Sequence, residues 1–382
     1  MRHKNSVFHA LMQYVPWGYF EQLVQENGGD KGVRKLTSRD HFGSVLYGQL
    51  SGASSLREIE SALQSHRARL YHVNVKPVKR STLADANASR PAAIFTELFL
   101  KLMKQAHRGL RRSLEETVYL IDSTSLRLSE SSKDWARFSS GVCGAKAHVI
   151  YDADAACPIY MAVTAANVND ITAAQAMPIE AGASYVFDLG YYDYNWWAGL
   201  DAAGCRIVTR FKSNTPLRTI EDRAVAEDGA ILSDRIGYLP ARQAKNRKNP
   251  FGDPVREVRV RIETGKILRI LSNDIDASAE EIAGLYKRRW EIELFFRWVK
   301  QNLKIKKFLG TSENAIRIQI AVALIAYLLL RLAHAAQISG LTLLAFTRLV
   351  RSNLMHLKRI DRLLEDSVET PPDDRQMAFQ CL

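Results

Sequence analysis

The stretch of residues 278–303 reads SAEEIAGLYKRRWEIELFFRWVKQNL, and its pattern predicts one long helix. Ser278 followed three residues later by Glu281 forms a capping box, which satisfies free backbone amides at a helix start. No proline interrupts the stretch. At about 100° per residue, its large apolar side chains cover one broad arc. A narrow polar stripe beside that arc holds Tyr286, Arg289, Glu293, Arg297 and Lys300.

The polar stripe has two interpretations. One is an exposed helix surface that carries salt bridges, because a Glu and an Arg four residues apart commonly stabilise a helix. The other is half of an active site, in which the Glu293 carboxylate is flanked by cations. The helix alone does not separate these alternatives, so the rest of the chain has to decide between them.

The composition favours a polyanionic partner. The chain has 382 residues, enough for a sizeable core and for two or three domains. Its 53 Lys and Arg against 41 Asp and Glu give a formal net charge of +12. Such an excess points to nucleic acid or to an anionic membrane surface, with a merely basic soluble protein as the alternative. Nucleic acid is the stronger candidate, since no basic amphipathic segment with an exposed apolar face accompanies the charge.

Nothing in the sequence predicts export or a membrane span. The N-terminus, MRHKNSVFHALMQYV, has no long apolar core and no small-residue cleavage site. The longest apolar run, residues 320–330, is shorter than the ~20 residues that cross a bilayer, so we expect a buried helix there. The four cysteines are far apart and form no CxxC pair, which argues against structural zinc and fits a reducing, cytoplasmic compartment.

Residues 1–85 are predicted to form a helical domain, since segments with helical periodicity are separated there by turns. A helix, a turn that contains Gly52 and a second helix resemble a helix-turn-helix, which is a weak pattern by itself. The following segment, residues 66–81, mixes basic residues with aromatic rings and suits contacts with phosphates. A solvated basic linker explains that segment equally well. With the net charge, the pattern favours DNA binding by residues 1–85.

The middle of the chain is predicted to be an α/β core, because short apolar strands alternate there with helices. One such strand, residues 118–122, ends in Asp122, and another, residues 185–188, ends in Asp188. A side chain at the end of a strand is delivered to the edge of the sheet, where open α/β sheets place their ligands.

Residues 213–272 differ from the core, since they lack helical periodicity and read as strands. We interpret them as a β-rich insertion that carries a densely basic loop. The candidate DNA contacts in that loop are Arg242, Lys245, Arg247 and Lys248. The expected division is thus a helical N-terminal DNA-binding domain (1–85), a core in two parts (86–212 and 273–335) around the insertion (213–272), and a helical C-terminal region with a possible dimerisation role (336–382).

Three carboxylates carry the chemistry of the predicted site. Asp122 and Asp188 end strands, and Glu293 lies on the helix that follows the insertion. Hard divalent cations prefer carboxylate oxygens, so these acids could hold two Mg²⁺ ions. A pair of such ions activates the attacking oxygen and stabilises the leaving oxygen of a phosphodiester. Cations beside Glu293 would neutralise charge that develops on the phosphate or would hold the scissile backbone.

The spacing Tyr286-x2-Arg289-x3-Glu293-x6-Lys300 resembles the YREK signature of bacterial insertion-sequence DDE transposases, specifically of insertion-sequence family four. The segment Asp188-Leu189-Gly190-Tyr191 is similar to the second-acid motif of that family, and Asp122-Ser123-Thr124 to the first. The resemblance covers residues 118–330, and more loosely the helical region before them.

The resemblance implies an RNase H-like core with a β-rich insertion, and an enzyme that cuts DNA at terminal inverted repeats and transfers the ends into target DNA. It implies a hairpin intermediate, Mg²⁺ as cofactor with Mn²⁺ as a substitute, and a homodimer on paired ends. Asp122, Asp188 and Glu293 would be the metal ligands. Tyr286, Arg289 and Lys300 would contact the DNA backbone. Trp290 and Trp298 are candidates for stacking on a flipped base, with core packing as the favoured alternative.

Two other functions stay open at this point. One is a DNA-binding regulator without catalysis that derives from a transposase, which the three intact acids argue against. The other is an RNase H-like nuclease that cuts DNA but never joins it. Cleavage, joining and binding assays would separate these functions.

Overall fold

The N-terminal part of the chain is helical. The computed structural model describes residues 5–110, 117–139, 142–242, 247–303, 308–337 and 340–364. The first helices are α1 (Val7–Met12), α2 (Trp17–Glu26), α3 (Ser38–Ser51), α4 (Leu56–Ser65), α5 (Arg80–Ser89) and α6 (Ala92–Leu110). Thr37 begins α3 with a capping box, in which its hydroxyl accepts the Asp40 amide and the Asp40 carboxylate accepts the Thr37 amide.

Helices α3 and α4 have the order of a helix-turn-helix, and Gly52 ends α3 in the left-handed conformation. However, α3 is buried along almost its whole length, whereas α4 keeps an exposed face. The first helix of the pair is therefore the centre of the N-terminal helices, because it is covered by its neighbours.

The apolar run predicted as a buried helix belongs to α12 (Glu313–Ala335), which packs against α3, α5 and α6. By length and composition α12 could cross a membrane, yet 83% of its most apolar window is buried inside the protein. Burial among other helices explains an apolar sequence of this length in a core helix.

In the part of the predicted helical C-terminal region that the structure describes, α13 (Leu343–Asn353) is followed by a short 3₁₀ turn, Ile360–Arg362. It lies on the N-terminal helices. The Phe8 amide donates to the Leu354 carbonyl at 2.8 Å, and the Arg351 guanidinium donates to the Leu50 carbonyl at 3.1 Å. The two ends of the described chain therefore form one helical body. Residues 365–382, which the sequence assigns to the same region, lie outside the described residues.

A mixed sheet forms the middle of the molecule. Its spatial order is β2-β3-β1-β5-β6-β10-β9-β8-β7, and β4 also pairs with β3. The strands are β1 (Val118–Leu128), β2 (Arg137–Ser139), β3 (Val142–Asp152), β4 (Cys157–Ala165), β5 (Ser184–Phe187), β6 (Arg206–Arg210), β7 (Arg218–Arg223), β8 (Ile231–Tyr238), β9 (Val255–Arg261) and β10 (Ile267–Ser272). Strands β1, β5 and β6 are parallel, and the other pairs are antiparallel.

The strands of residues 213–272 do not make a separate sheet. Strand β10 pairs with β6, with Ile270 opposite Arg210, so β7–β10 extend the sheet of the core. A buried ion pair inside this part joins Arg256 to Asp234 at 2.6 Å, and the Arg256 guanidinium also donates to the Ala277 carbonyl. The extension is thereby tied to the segment that leads into the next helix.

Helices cover both faces of the sheet, because β1 is apolar on both sides. Val118 and Leu120 join the core that contains α6 and α12, while Tyr119 and Ile121 join the core on the opposite face. The remaining helices are α7 (Lys133–Ala136), α8 (Asp170–Ala174), α9 (Tyr194–Ala202), α10 (Ala279–Arg288) and α11 (Trp290–Asn302).

The stretch predicted as one long helix is in fact two helices, α10 and α11, that break at Arg289. At the break the Arg289 amide donates to the Tyr286 carbonyl, three residues back, at 3.1 Å. This tighter turn interrupts the α-helical hydrogen-bond pattern. The N-terminal cap is as predicted, since the Ser278 hydroxyl accepts the Glu281 amide at 3.1 Å. The Glu281 carboxylate pairs instead with Arg206.

Candidate active site

Asp122 and Asp188 lie side by side where the pairing of the parallel strands β1 and β5 stops. Strand β1 does not end at Asp122, as the sequence predicted, because it continues along β3 to Leu128. The last paired residues of β1 and β5 are Ile121 and Phe187, and each aspartate follows directly. The apolar runs before the two acids are buried on both faces of the sheet, which fixes the strand register. The structure therefore brings together the two strand-end acids that the sequence singled out.

Backbone amides orient both carboxylates. The Ser123 amide donates to Asp122 Oδ1 at 2.7 Å, and the Gly190 amide donates to Asp188 Oδ1 at 2.8 Å. A Cβ atom on residue 190 would lie 3.0 Å from Asp188 Oδ1. Glycine is needed at this position because the backbone approaches the carboxylate closely.

Glu293 is linked to Asp122 through Arg289. Helix α11 packs against β1, and Glu293 lies in its first turn. Arg289 Nη2 is 2.5 Å from Glu293 Oε1, and Arg289 Nη1 is 3.8 Å from Asp122 Oδ2. The guanidinium thus lies between the two carboxylates. The break between α10 and α11 is at this same arginine.

The cluster holds excess negative charge. Burial, together with the Asp188 and Glu293 carboxylates, raises the pKa of Asp122 to about 7, although the Ser123 amide and the Arg289 cation lower it. Such a shift is typical of a site built for a cation or for proton transfer. Within the described part of the chain, no three His, Cys, Asp or Glu side chains stand close enough to enclose one ion. The oxygen donors and their charge nevertheless suit a hard divalent cation.

The other two residues of the predicted signature, Tyr286 and Lys300, lie on the same pair of helices. Tyr286 is buried, and the Arg289 guanidinium is 5.9 Å from the centroid of its ring. Burial raises the pKa of Tyr286. Lys300 is half-buried on α11, seven residues after Glu293.

The two candidate tryptophans have different surroundings. Trp290 is 51% exposed, with the Arg297 guanidinium 5.9 Å from its ring centroid, so the favoured expectation of core packing is wrong for Trp290. Trp298 is half-buried and packs edge-on against Tyr327, as core packing requires. The spacing of apolar residues along the helix does not predict this difference, because α11 packs against both β1 and α12.

The basic loop lies beside the segment that follows Asp188. Arg242 and Lys248 are exposed and pair across the loop. Arg247 is exposed as well and forms an ion pair with Asp193 at 3.1 Å, where Asp193 caps helix α9. Lys245 lies outside the described residues.

Sequence reasoning missed a polar group next to the two aspartates. Asp170, which the sequence presents only as a helix start, accepts a hydrogen bond from the Ser123 hydroxyl at 2.7 Å. The same carboxylate oxygen accepts from Lys146 Nζ at 3.2 Å. The signal that could have found it is Asn169-Asp170, an acid just after the β4 strand. Arg210 was also missed, and it lies at the end of β6 next to β5.

Comparisons with known proteins agree with the geometry. A family model described as a transposase DDE domain matches residues 113–329, and one described as a domain of unknown function (DUF4372) matches residues 3–76. A Sinorhizobium fredii protein that bears the name of a transposase, y4zB, is 41% identical over 293 residues, 76% of this chain and 80% of its own length. A Geobacillus stearothermophilus protein named as a transposase for insertion sequence element IS5377 is 29% identical over 261 residues, 66% of each chain.

Among solved structures, a piggyBac transposase synaptic complex with hairpin DNA aligns at a TM-score of 0.40 and 10% identity, over 96% of this chain and 86% of that one. This likeness is too weak to bear on the fold. The DDE domain match spans more than half of the chain, and the Sinorhizobium relative is matched over most of its own length. The protein therefore belongs to the DDE transposases of insertion sequences.

Proposed function

We propose that this protein binds the terminal inverted repeats of its element, cleaves the element ends by Mg²⁺-dependent phosphodiester hydrolysis and transesterification, and transfers the 3′ ends into target DNA. The observation that carries the proposal is the charged cluster of Asp122, Asp188 and Glu293 where the pairing of β1 with β5 stops. The order β4-β3-β1-β5-β6, in which parallel strands follow antiparallel ones, supports an RNase H-like core.

Asp122, Asp188 and Glu293 would hold the metal ions. Membership of the DDE transposases implies dependence on a divalent metal, and we infer Mg²⁺, with Mn²⁺ as a substitute, because carboxylate oxygens suit both. When bound, two such ions activate the attacking oxygen and stabilise the leaving one. The amides of Ser123 and Gly190 keep the aspartate carboxylates oriented for this purpose.

Side chains around the acids would bind the DNA backbone. Arg289 carries a charge that suits a phosphate, and it already bridges two of the acids. Tyr286 and Lys300 lie on the same pair of helices, and Trp290 offers an exposed ring for an unstacked base. The loop with Arg242, Lys245, Arg247 and Lys248 would extend this surface, since Arg247 contacts the segment after Asp188.

The finer steps of the proposal follow from the family resemblance. The element end would pass through a hairpin intermediate, and a homodimer would hold the two paired ends. Residues 1–85 would bind terminal-repeat DNA, and the C-terminal helices could support the dimer. The protein would act in the cytoplasm, where the host DNA is.

The test is cleavage of a labelled duplex that carries the terminal repeat found beside the reading frame. With Mg²⁺, the wild-type protein is expected to cut the element end and to join it to a target duplex. Asp122→Ala and Glu293→Gln should remove cutting and joining while end binding stays intact. Glu291→Gln is the matched control, because Glu291 lies on the same helix and pairs with Arg288 rather than with the acids.

Other outcomes would replace this function. Cutting without any joined product would identify a nuclease. Specific end binding without cutting, unchanged in the acid variants, would identify a regulator. Full cutting by Asp122→Ala protein would contradict the proposed site.

A further inference from the structure

Asp170 lies between the two turns that carry the strand-end aspartates. It is the first residue of α8, directly after the loop that follows β4. Its Oδ1 accepts the Ser123 hydroxyl at 2.7 Å, and Ser123 is the residue whose amide orients Asp122. Its Oδ2 is 3.4 Å from the place that a Cβ atom on Gly190 would take, and the Gly190 amide orients Asp188. The Asp170 carboxylate is therefore hydrogen-bonded to the turn after Asp122 and lies beside the turn after Asp188.

Two side chains of strand β3, Lys146 and His148, hold the Asp170 carboxylate in place. Lys146 Nζ donates to Asp170 Oδ1 at 3.2 Å and to the Val168 carbonyl at 3.1 Å. His148 is fully buried, and its Nδ1 lies 3.6 Å from Asp170 Oδ1. His148 is itself held through Nε2, which is 2.8 Å from the Thr164 hydroxyl. The position of Asp170 is thus set by rigid strand residues.

Tyr191 is a buried tyrosine in the turn after Asp188. Burial raises the pKa of this tyrosine, and Asp122, Asp170 and Asp188 all raise it further. Asp170 differs from the other two acids in its hydrogen-bond donors. Two side chains, the Ser123 hydroxyl and the Lys146 ammonium, donate to its Oδ1, whereas backbone amides donate to the Oδ1 atoms of Asp122 and Asp188.

We propose that Asp170 is a positioning residue that holds the turns after Asp122 and Asp188 at the spacing that metal binding needs. This inference rests on the proposed function. The hydrogen bond to Ser123 fixes the first turn, and the contact with Gly190 limits the second. Groups that orient metal ligands commonly change metal affinity or activity by about 10- to 100-fold when they are removed.

The experiment compares Asp170→Ala and Asp170→Asn with wild-type protein. Asp170→Ala removes both contacts, whereas Asp170→Asn keeps an acceptor for Ser123 and loses the charge that faces Lys146. Asp201→Asn is the control, since Asp201 accepts a hydrogen bond from the Asn273 side chain at 2.6 Å and lies at the end of α9, before β6 begins. The measurements are single-turnover cleavage, Mn²⁺ affinity of the DNA-free protein by electron paramagnetic resonance, end binding and the unfolding temperature.

Asp170→Ala is expected to slow cleavage by about 10- to 100-fold and to weaken Mn²⁺ binding by about tenfold, with end binding and unfolding temperature close to wild type. The cleavage rate and Mn²⁺ affinity of Asp170→Asn should lie between those of wild type and Asp170→Ala. Asp201→Asn should match wild type in both. A double-mutant cycle with Ser123→Ala measures how strongly the effects of Asp170 and Ser123 on the cleavage rate are coupled. The double variant should be no slower than Asp170→Ala alone, because both changes break the same link.

Four results would overturn the proposal. Wild-type cleavage and Mn²⁺ affinity in Asp170→Ala would show that the residue positions nothing. Loss of Mn²⁺ binding as complete as in Asp122→Ala would make Asp170 a direct ligand instead. Lost end binding or a large fall in unfolding temperature in Asp170→Ala would show a purely structural role. Additive effects of Asp170→Ala and Ser123→Ala on cleavage would show that Asp170 does not act through Ser123. Wild-type protein that neither binds Mn²⁺ nor cuts DNA would contradict the proposed function itself.

Discussion

Asp122 shows most directly what the site is built for. A partly buried aspartate beside two other carboxylates destabilises the folded chain, since its pKa rises to about 7. The fold tolerates this arrangement because β1 and β5 are buried strands whose register leaves no other place for the two acids. A carboxyl group whose pKa is raised so far, at the expense of folding stability, is typical of a functional site.

Gly190→Ala should damage catalysis more than stability. The new Cβ atom would lie 3.0 Å from Asp188 Oδ1 and 3.4 Å from Asp170 Oδ2, so the carboxylate of Asp188 must shift. We expect single-turnover cleavage to fall by about 10- to 100-fold, because small displacements of reacting groups are costly. The unfolding temperature should change little, since Gly190 is exposed.

The control for this prediction is Gly199→Ala on helix α9, where a Cβ atom has no neighbour within 4 Å. That variant should cleave like wild type. Equal cleavage rates for the two variants would show that Gly190 tolerates a side chain and that Asp188 is not confined as described.

His41 should make stability depend on pH. Burial lowers the pKa of His41 to about 4, and its Nε2 lies 2.7 Å from Asn87 Oδ1. Between pH 6.5 and about 4 the unfolded chain binds a proton at this site and the folded chain does not. The free energy of unfolding should therefore fall as pH falls through this range, by up to about 1.4 kcal/mol per pH unit.

Denaturant unfolding of wild type and His41→Gln from pH 7 to pH 4 measures this effect. Other groups titrate in both proteins, so the difference between the two curves is the quantity of interest. It should narrow as the pH falls, because only the wild type loses this contribution. Parallel curves over the whole range would contradict the assignment.

Among the elements, the pair α10 and α11 decides where Glu293 lies. Helix α10 packs against β5, β6, β9 and β10, whereas α11 packs against β1 and α12. The break at Arg289 lets the two helices follow different neighbours. It also places the guanidinium between Asp122 and Glu293.

Helix α3 depends on close packing, which Gly43→Ala should disturb. A Cβ atom at residue 43 would overlap Val75, a buried side chain with little rotamer freedom. We expect the free energy of unfolding to fall by about 1–3 kcal/mol, the usual cost of overpacking a core.

Gly284→Ala on α10 is the matched change, since no atom lies within 4 Å of the new Cβ. It should raise the free energy of unfolding by about 0.5–1 kcal/mol, because Ala favours a helix more than Gly does. Denaturant unfolding compares both variants. Destabilisation of the same size in both would show that the contact with Val75 is not the cause.

At the scale of the whole molecule, one sheet contains both the strands of the predicted core and the strands of the predicted insertion. Strands β7–β10 continue the core sheet through β6, and the N-terminal and C-terminal helices pack on α12. The Arg247–Asp193 ion pair ties the end of the basic loop to the start of helix α9.

The loop should contribute to the salt dependence of DNA binding. Changing Arg242, Lys245 and Lys248 together to Ala should weaken end binding. The slope of log affinity against log salt should become less steep by up to about three, because each lost phosphate contact changes the slope by roughly 0.9. Arg247 is left unchanged because its loss would also free Asp193. Affinity measured over a series of salt concentrations gives the slope.

A control for charge alone is Lys104→Ala with Arg108→Ala on α6, two exposed cations for which no DNA contact is proposed. This pair should leave the slope close to wild type. An unchanged slope in the loop variant, or an equal change in the control, would count against the loop as a DNA contact.

The sequence by itself determined the class of fold and predicted the three acids of the proposed site. Apolar runs that end in Asp122 and Asp188 predict strands that end at one sheet edge, because burial on both faces needs a continuous apolar strand. The alternation of strands and helices predicts the α/β core for the same reason, since each element must bury one face. These features are local, so they can be seen without knowing the neighbours.

Only the tertiary structure decided what depends on neighbours. The break at Arg289, the exposure of Trp290 and the position of Asp170 all follow from which elements pack together. A helical period places a residue on one side of its own helix but does not say what covers that side. Asp170 reaches the site because β4 and α8 bring it there from outside the signature, and no spacing in the chain records that approach.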